Sequence, residues 1–74
     1  MPKKPFLFSK HFRRDKNIEA SLAEDCIFTG KKFPETEPRK WKAVKPYKKG
    51  VLVVVFREYK NHYYVITSYW KKGG

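Results

Sequence analysis

The fold is decided by one stretch of the chain, Val51-Leu-Val-Val-Val-Phe-Arg-Glu-Tyr59, then Lys60-Asn61, then His62-Tyr-Tyr-Val-Ile-Thr-Ser-Tyr-Trp70. Two runs rich in β-branched and aromatic residues flank a short polar break, and this pattern predicts a β-hairpin. The first run is apolar without interruption from Val51 to Phe56. Such a run favours a central strand that is covered or flanked on both faces.

A turn centred on Lys60-Asn61 sets the expected pairing of the two strands. Val53 would lie opposite Ser68 and Arg57 opposite Tyr64, all on one face, because side chains alternate along a strand. The other face would carry Leu52, Val54, Phe56 and Glu58 together with Tyr63, Val65, Thr67 and Tyr69. A slip of one residue would exchange the faces of one strand relative to its partner, so a shifted register is the alternative.

Two short helices are predicted ahead of the hairpin. Ser9 is a suitable N-cap for a helix over Lys10–Arg14. Apolar residues at Ile18, Leu22 and Cys26 recur with the helical period and predict a second helix over residues 18–28, with Asn17 placed to cap it.

The remaining segments predict short strands and connections. Residues 33–38 contain two prolines and indicate an extended connector that pairs at most briefly at a sheet edge. Residues 41–44 indicate a strand with alternating lysines that ends at Pro46. Phe6–Phe8 is either a short edge strand or a plug for the core.

These elements predict an α+β fold in which two short N-terminal helices pack on one face of a three- to four-stranded antiparallel sheet. The opposite face of the sheet would then be exposed. The chain of 74 residues suits a single domain. Residues 1–5 and 71–74 are expected to be flexible basic tails.

The charge of the chain is strongly positive. Eighteen Lys and Arg residues against seven Asp and Glu residues give a formal net charge of +11. A domain this basic suits polyanions, namely RNA, DNA, an anionic membrane or an acidic protein, although a lysine-rich surface also serves solubility alone. The apolar run near the N-terminus, Phe6–Phe8, is too short for a signal peptide or a membrane span. We therefore expect a cytoplasmic protein that does not bind membranes.

Metal and cofactor chemistry find no support in the sequence. Cys26 is the only cysteine, which excludes a disulfide and a cysteine-based metal site, and it lies on the apolar side of the second helix as a buried thiol. His11 and His62 are far apart, with no acid or cysteine at ligand spacing from either. A glycine-rich phosphate loop and a nucleophile elbow are also absent from the sequence, and we expect no cofactor.

A group of basic and aromatic residues is predicted on one face of the hairpin, where Arg57, His62, Tyr64 and Ser68 would be joined by Lys42 or Lys45 of the neighbouring strand. Arg and Lys bind phosphates and aromatic rings stack on bases, so this group predicts nucleic-acid binding. A metal-independent ribonuclease needs a general base, a general acid and a cation, roles open to Arg57 and to His62 or a Tyr. The alternatives are a solvated strand-end charge for Arg57 and a surface histidine for His62.

A second basic group lies near the start of the chain, where His11 has Lys10, Arg13 and Arg14 as neighbours. The three cations are candidates for phosphate binding, and His11 is a candidate for proton transfer. The alternative for His11 is a half-buried helix histidine.

Three segments follow one another along the chain: Ser9-Lys10-His11, the helix over residues 18–28, and the strand Leu52-Val-Val-Val-Phe56 with its partner Val65-Ile66-Thr67. This order resembles the small toxin-like domains allied to BrnT and RelE. The resemblance covers the chain from about Phe8 to Tyr69 and rests on pattern.

The resemblance implies a RelE-like fold, an RNA-directed activity such as metal-independent cleavage of mRNA on the ribosome, and an acidic antitoxin protein as partner. Carried over to this chain, it implies catalytic roles for His11, Arg57 and Tyr69. Relatives usually carry an Arg shortly after the last strand, whereas this chain has Lys71 and Lys72 there. A lysine binds phosphate without the bidentate geometry of a guanidinium.

The sequence therefore predicts a small basic RNA-binding protein that resembles toxin-type mRNA interferases, with endoribonuclease activity as one hypothesis. The alternative hypothesis is a non-catalytic nucleic-acid-binding or protein-interaction module that uses the same surface.

Overall fold

The computed structural model describes residues 4–14 and 19–71, which form five strands and two helices. In chain order the elements are β1 (Phe6–Phe8), α1 (Lys10–Arg14), α2 (Ala20–Thr29), β2 (Lys31–Pro34), β3 (Lys40–Tyr47), β4 (Gly50–Glu58) and β5 (Tyr63–Lys71).

All five strands belong to one sheet with the spatial order β1-β5-β4-β3-β2. The strands from β2 to β5 pair antiparallel with their neighbours, whereas β1 is parallel to β5. The chain is roughly an α+β fold, but the expected architecture is wrong: the sheet has five strands and is mixed, and the helices are not N-terminal, because strand β1 precedes them. The predicted number of strands is too low because the edge strands β1 and β2 have only three and four residues, which are too few to show a strand pattern.

The two helices begin close to their expected positions. The hydroxyl oxygen of Ser9 accepts a hydrogen bond from the backbone N–H of Phe12 at 3.1 Å, as expected of the N-cap of α1. Helix α2 begins after Glu19, which is its N-cap residue. The expected cap Asn17 and the expected first residue Ile18 lie outside the described residues.

The central hairpin forms with the predicted turn, in which the N–H of Tyr59 donates to the carbonyl of His62 at 2.9 Å. Next to the turn the predicted pairs are present, with Arg57 opposite Tyr64. A register shift between Val55 and Phe56 then moves the rest of β5 by one residue, so that Val53 lies opposite Tyr69. Ser68 and Tyr69 therefore lie on the faces opposite to those predicted.

The core lies between the helices and one face of the sheet. Helix α2 contributes Ala23, Cys26 and Ile27, all fully buried, and α1 contributes Phe12. The sheet contributes Ala43, Leu52, Val54, Phe56 and Val65. Each large buried side chain stabilises the fold by about 1.5–3 kcal/mol relative to an exposed one.

Cys26 is part of this core, as predicted. Its thiol donates to the carbonyl of Leu52 at 3.6 Å, and burial raises the pKa of the thiol to about 11. A neutral thiol that holds α2 against β4 has a structural role.

Strand β3 is longer than predicted because it continues through Pro46 to Tyr47. The pairing of β2 with β3 ends at Lys31, opposite Val44. Pro46 is therefore beyond the end of β2, where its missing N–H breaks no hydrogen bond to that strand.

The chain ends are described only in part. Of the predicted tails, residues 1–3 and 72–74 lie outside the described residues, whereas Lys71 is the last residue of β5. The ammonium of Lys4 donates to the Glu58 carboxylate at 3.2 Å and to the Tyr59 carbonyl at 3.0 Å. Among the helices described, none has the length and apolar character needed to cross a membrane.

Candidate nucleic-acid interface

Within the described chain, both helices contribute to a core on one face of the sheet, and the strand residues between the core positions form the other face. We call this second face the open face. Its residues are defined by the strand register: Leu7 on β1; Lys31 and Phe33 on β2; Lys40, Lys42, Val44 and Pro46 on β3; Val51, Val53, Val55 and Arg57 on β4; and Tyr64, Thr67, Tyr69 and Lys71 on β5.

Cations outnumber acids on the open face. Its strand positions hold Lys31, Lys40, Lys42, Arg57 and Lys71 and no Asp or Glu. Glu37, in the turn before β3, is 3.2 Å from the guanidinium of Arg57 and 3.2 Å from the ammonium of Lys40. One carboxylate therefore offsets part of the charge at this end, and the surface as a whole attracts anions.

Apolar and aromatic side chains lie between and beside these cations. Val53 lies in the register between Val44 and Tyr69 and is only 3% exposed, although no described helix covers it. The rings of Phe33 and Tyr69 are each 47% exposed. These rings belong to β2 and β5, three strand spacings apart, or about 14 Å across the sheet.

The structure brings five of the predicted site residues onto the open face: Lys42, Arg57, Tyr64, Tyr69 and Lys71. Lys45 lies on the helix side of β3 and bonds to α2. His62 lies at the hairpin turn, where its ring stacks on Tyr59 with a centroid distance of 4.7 Å. Lys72 lies outside the described residues.

The N-terminal basic group lies on α1, which contacts β5. Lys10, His11, Arg13 and Arg14 are all exposed. His11 is thus not the half-buried helix histidine of the alternative interpretation.

The three candidate catalytic residues do not converge. Tyr69 lies opposite Val53, four residues from Arg57 along β4, which corresponds to about 13 Å. His11 belongs to α1, and no hydrogen bond within the described residues joins it to Arg57 or Tyr69. A general base and a general acid must both reach the reacting atoms. The catalytic roles of His11, Arg57 and Tyr69 therefore stay predictions.

Lys45 belongs to a hydrogen-bonded cluster on the helix side. Its ammonium donates to the carboxylate of Asp25 at 2.8 Å and to the hydroxyl of Thr29 at 2.6 Å, and the hydroxyl of Tyr47 also donates to Asp25. The hydrogen bond from Lys45, then that from Tyr47, hold the pKa of the Asp25 carboxyl below its ordinary value of 3.8. Burial, followed by the bond to Asp25, raises the pKa of the Tyr47 hydroxyl. This cluster joins α2 to β3.

Sequence reasoning missed Lys31 and Phe33 as members of the open face. The sequence predicts an extended connector over residues 33–38 that pairs at most briefly at a sheet edge, whereas β2 begins at Lys31, includes Phe33 and Pro34, and places Phe33 beside Lys42. The signal available in the sequence was the alternation of Lys31 and Phe33 after the end of α2, next to a strand that also alternates.

The part of the chain that the structure describes contains no group of three or more His, Cys, Asp or Glu residues able to hold a metal ion. Comparison with models of known families, with curated proteins and with solved structures found no match for this chain. The toxin-like resemblance, the antitoxin partner and the action on mRNA at the ribosome therefore stay predictions.

Proposed function

We propose that this protein binds single-stranded RNA on the open face of its sheet. The observation that carries the proposal is the convergence of cations and exposed rings, above all Lys42, Lys71 and Tyr69, on the face opposite the helices. Cations bind the phosphate backbone and exposed rings stack on bases, which together describe a binding surface for single strands.

The shape of the surface favours single strands over duplexes. Five strands give a surface about 19 Å wide, which is too broad to enter a groove of a double helix. The rings of Phe33 and Tyr69 can stack only on bases that are not already paired and stacked.

The cations of the open face differ in whether they already form an ion pair with a carboxylate. Arg57 and Lys40 share Glu37, whereas no ion pair within the described residues involves Lys42 or Lys71. We therefore expect Lys42 and Lys71 to contribute more to phosphate binding than Arg57 does. Each phosphate contact on a single strand contributes about 0.7 to the slope of log affinity against log salt.

The test compares two double variants that remove the same charge. Lys42→Gln with Lys71→Gln acts on the open face, and the control pair Lys32→Gln with Lys48→Gln acts on exposed lysines elsewhere. Affinity for a fluorescein-labelled 12-nucleotide RNA is measured by anisotropy between 50 and 200 mM salt.

We expect the open-face pair to weaken binding roughly 10-fold at 100 mM salt and to lower the salt slope by about 1.4. The control pair should change both quantities much less. Equal losses in the two pairs would contradict the open face as the binding surface, and failure of the wild-type protein to bind RNA would contradict the proposed function.

A further inference from the structure

An apolar pocket opens at the β2 edge of the open face. It has a volume of about 440 Å³ and lies where α2 ends and β2 begins. Phe33, Val44 and Pro46 supply its apolar lining, and the other lining residues are Thr29, Gly30, Lys31 and Lys45. The volume lies in the range of small-ligand sites, which spans about 300–1,000 Å³.

The ring of Phe33 supplies a stacking surface in this pocket. It is 47% exposed, and the register places Phe33 beside Lys42 and Lys31 beside Val44. An aromatic face with ammonium groups near it matches a base and the phosphates attached to its sugar.

Two of the three polar side chains that line the pocket are already held by hydrogen bonds. The hydroxyl of Thr29 donates to the carbonyl of Asp25 at 2.8 Å and accepts from Lys45, whose ammonium also binds the Asp25 carboxylate. Of the polar side chains lining the pocket, Lys31 alone lies outside this cluster. The pocket lining therefore offers a ligand apolar surface and the ammonium of Lys31, and few hydrogen-bonding groups that could distinguish one base from another.

We infer that this pocket holds one nucleobase of the bound single-stranded RNA, stacked on Phe33 with a neighbouring phosphate at Lys31 or Lys42. The inference rests on the proposed function and adds a base-binding site to it. Stacking increases with ring area, and Lys31 is the one polar side chain of the pocket lining that the cluster does not hold. Adenine therefore binds better than uracil, and discrimination beyond ring size is weak.

The experiment measures binding of labelled 12-nucleotide oligoadenylate and oligouridylate at 100 mM salt. Phe33→Leu retains apolar bulk without the ring, and Phe33→Tyr retains the ring. Phe28→Leu is the matched control, because it removes a ring that is 45% exposed but belongs to α2 and not to the open face.

We expect Phe33→Leu to weaken oligoadenylate binding between about 5-fold and 100-fold, as loss of one base stack does, and to reduce the preference for adenine. Phe33→Tyr, which retains the ring, and the control Phe28→Leu should stay within about twofold of wild type. Unchanged binding by Phe33→Leu, with wild type binding normally, would overturn the base pocket and leave the proposed function intact. Absence of binding by the wild-type protein would instead overturn the proposed function and the pocket with it.

A second measurement needs no variant. Amide chemical shifts of the wild-type protein are followed while unlabelled oligoadenylate is added. The largest changes are expected at Lys31, Phe33 and Val44. RNA binding that changes only the amide shifts of β1, β4 and β5 would overturn the proposed base-binding pocket.

Discussion

Gly30 lies between α2 and β2, and the space around its backbone explains why this position has no side chain. A Cβ built there would lie 2.5 Å from the carbonyl oxygen of Cys26 and 2.7 Å from that of Val44. Its φ of −80° is accessible to any residue, so close approach, and not a left-handed conformation, requires glycine. Glycine commonly follows the last residue of a helix, but the sequence alone does not reveal this contact with β3.

Substitution Gly30→Ala is expected to lower the free energy of unfolding by about 1–3 kcal/mol, because two backbone carbonyls must move to admit the methyl group. Urea denaturation followed by circular dichroism measures the change. Ser21→Ala, at an exposed position of α2, is the control and should be nearly neutral. Equal stability of Gly30→Ala and wild type would show that the chain relaxes here without loss.

Among the side chains, Lys45 is one whose role the residue pattern does not predict. Its position in a lysine-rich strand suggested phosphate binding, but it faces α2 and bonds to Asp25. Side chains alternate along a strand, so Lys42 and Lys45 lie on opposite faces, but a single sequence does not show which face the helices cover.

At the scale of elements, the β-bulge in the hairpin decides what the open face contains. The turn chemistry at Lys60-Asn61 predicted the pairs next to the turn correctly, including Arg57 with Tyr64. The shift after Phe56 then moved Ser68 to the buried side and Tyr69 to the open face. A bulge depends on packing across the whole sheet, so the local pattern could not reveal it.

Strand β1 shows the same limit for distant pairing. The sequence allowed Phe6–Phe8 to be an edge strand, and it is one. Its parallel pairing with β5 brings Phe6 opposite Tyr63, with ring centroids 5.0 Å apart. Nothing in three residues specifies a partner more than fifty positions away, because such pairing depends on the path of the intervening chain.

The hydrogen-bonded cluster of Asp25 with Lys45, Thr29 and Tyr47 makes the stability of the contact between α2 and β3 depend on pH. The pKa of Asp25 is lower in the folded protein than its ordinary 3.8, so the unfolded chain takes up the proton more readily. The stabilisation is therefore complete above pH 3.8 and is lost as the pH falls through the lower folded-state pKa. Asp25→Asn should be less stable than wild type at pH 7, and the difference should shrink at pH 2–3.

Urea midpoints of wild type and Asp25→Asn at pH 7 and pH 3 check this expectation. Glu24→Gln, on the same helix but outside the cluster, is the control, and its difference from wild type should not narrow in the same way. A pH-independent difference for Asp25→Asn would show that the carboxylate charge does not stabilise the helix contact.

At the scale of the whole molecule, charge is distributed unevenly over the two faces. The chain has a net charge of +11. Among its described acids, Asp25 pairs with Lys45 and Glu58 with Lys4, whereas Glu37 pairs with Lys40 and Arg57 of the open face. All charged residues at the strand positions of the open face are cations. Like charges on one small face repel each other, and a polyanion that neutralises them binds with a strong dependence on salt.

The same distribution bears on whether bound RNA is cut. Arg57 and Tyr69 lie about 13 Å apart along the sheet, and His11 belongs to a separate element. Cleavage by the 2′-hydroxyl of the substrate needs a base, an acid and a cation around a single phosphate. We therefore expect a 12-nucleotide RNA, incubated with the protein and EDTA, to be retarded on a native gel and to remain intact on a sequencing gel. Discrete cleavage that is lost in both His11→Ala and Arg57→Ala, while retardation persists, would contradict this expectation. It would show that RNA binding brings the two residues to one phosphate.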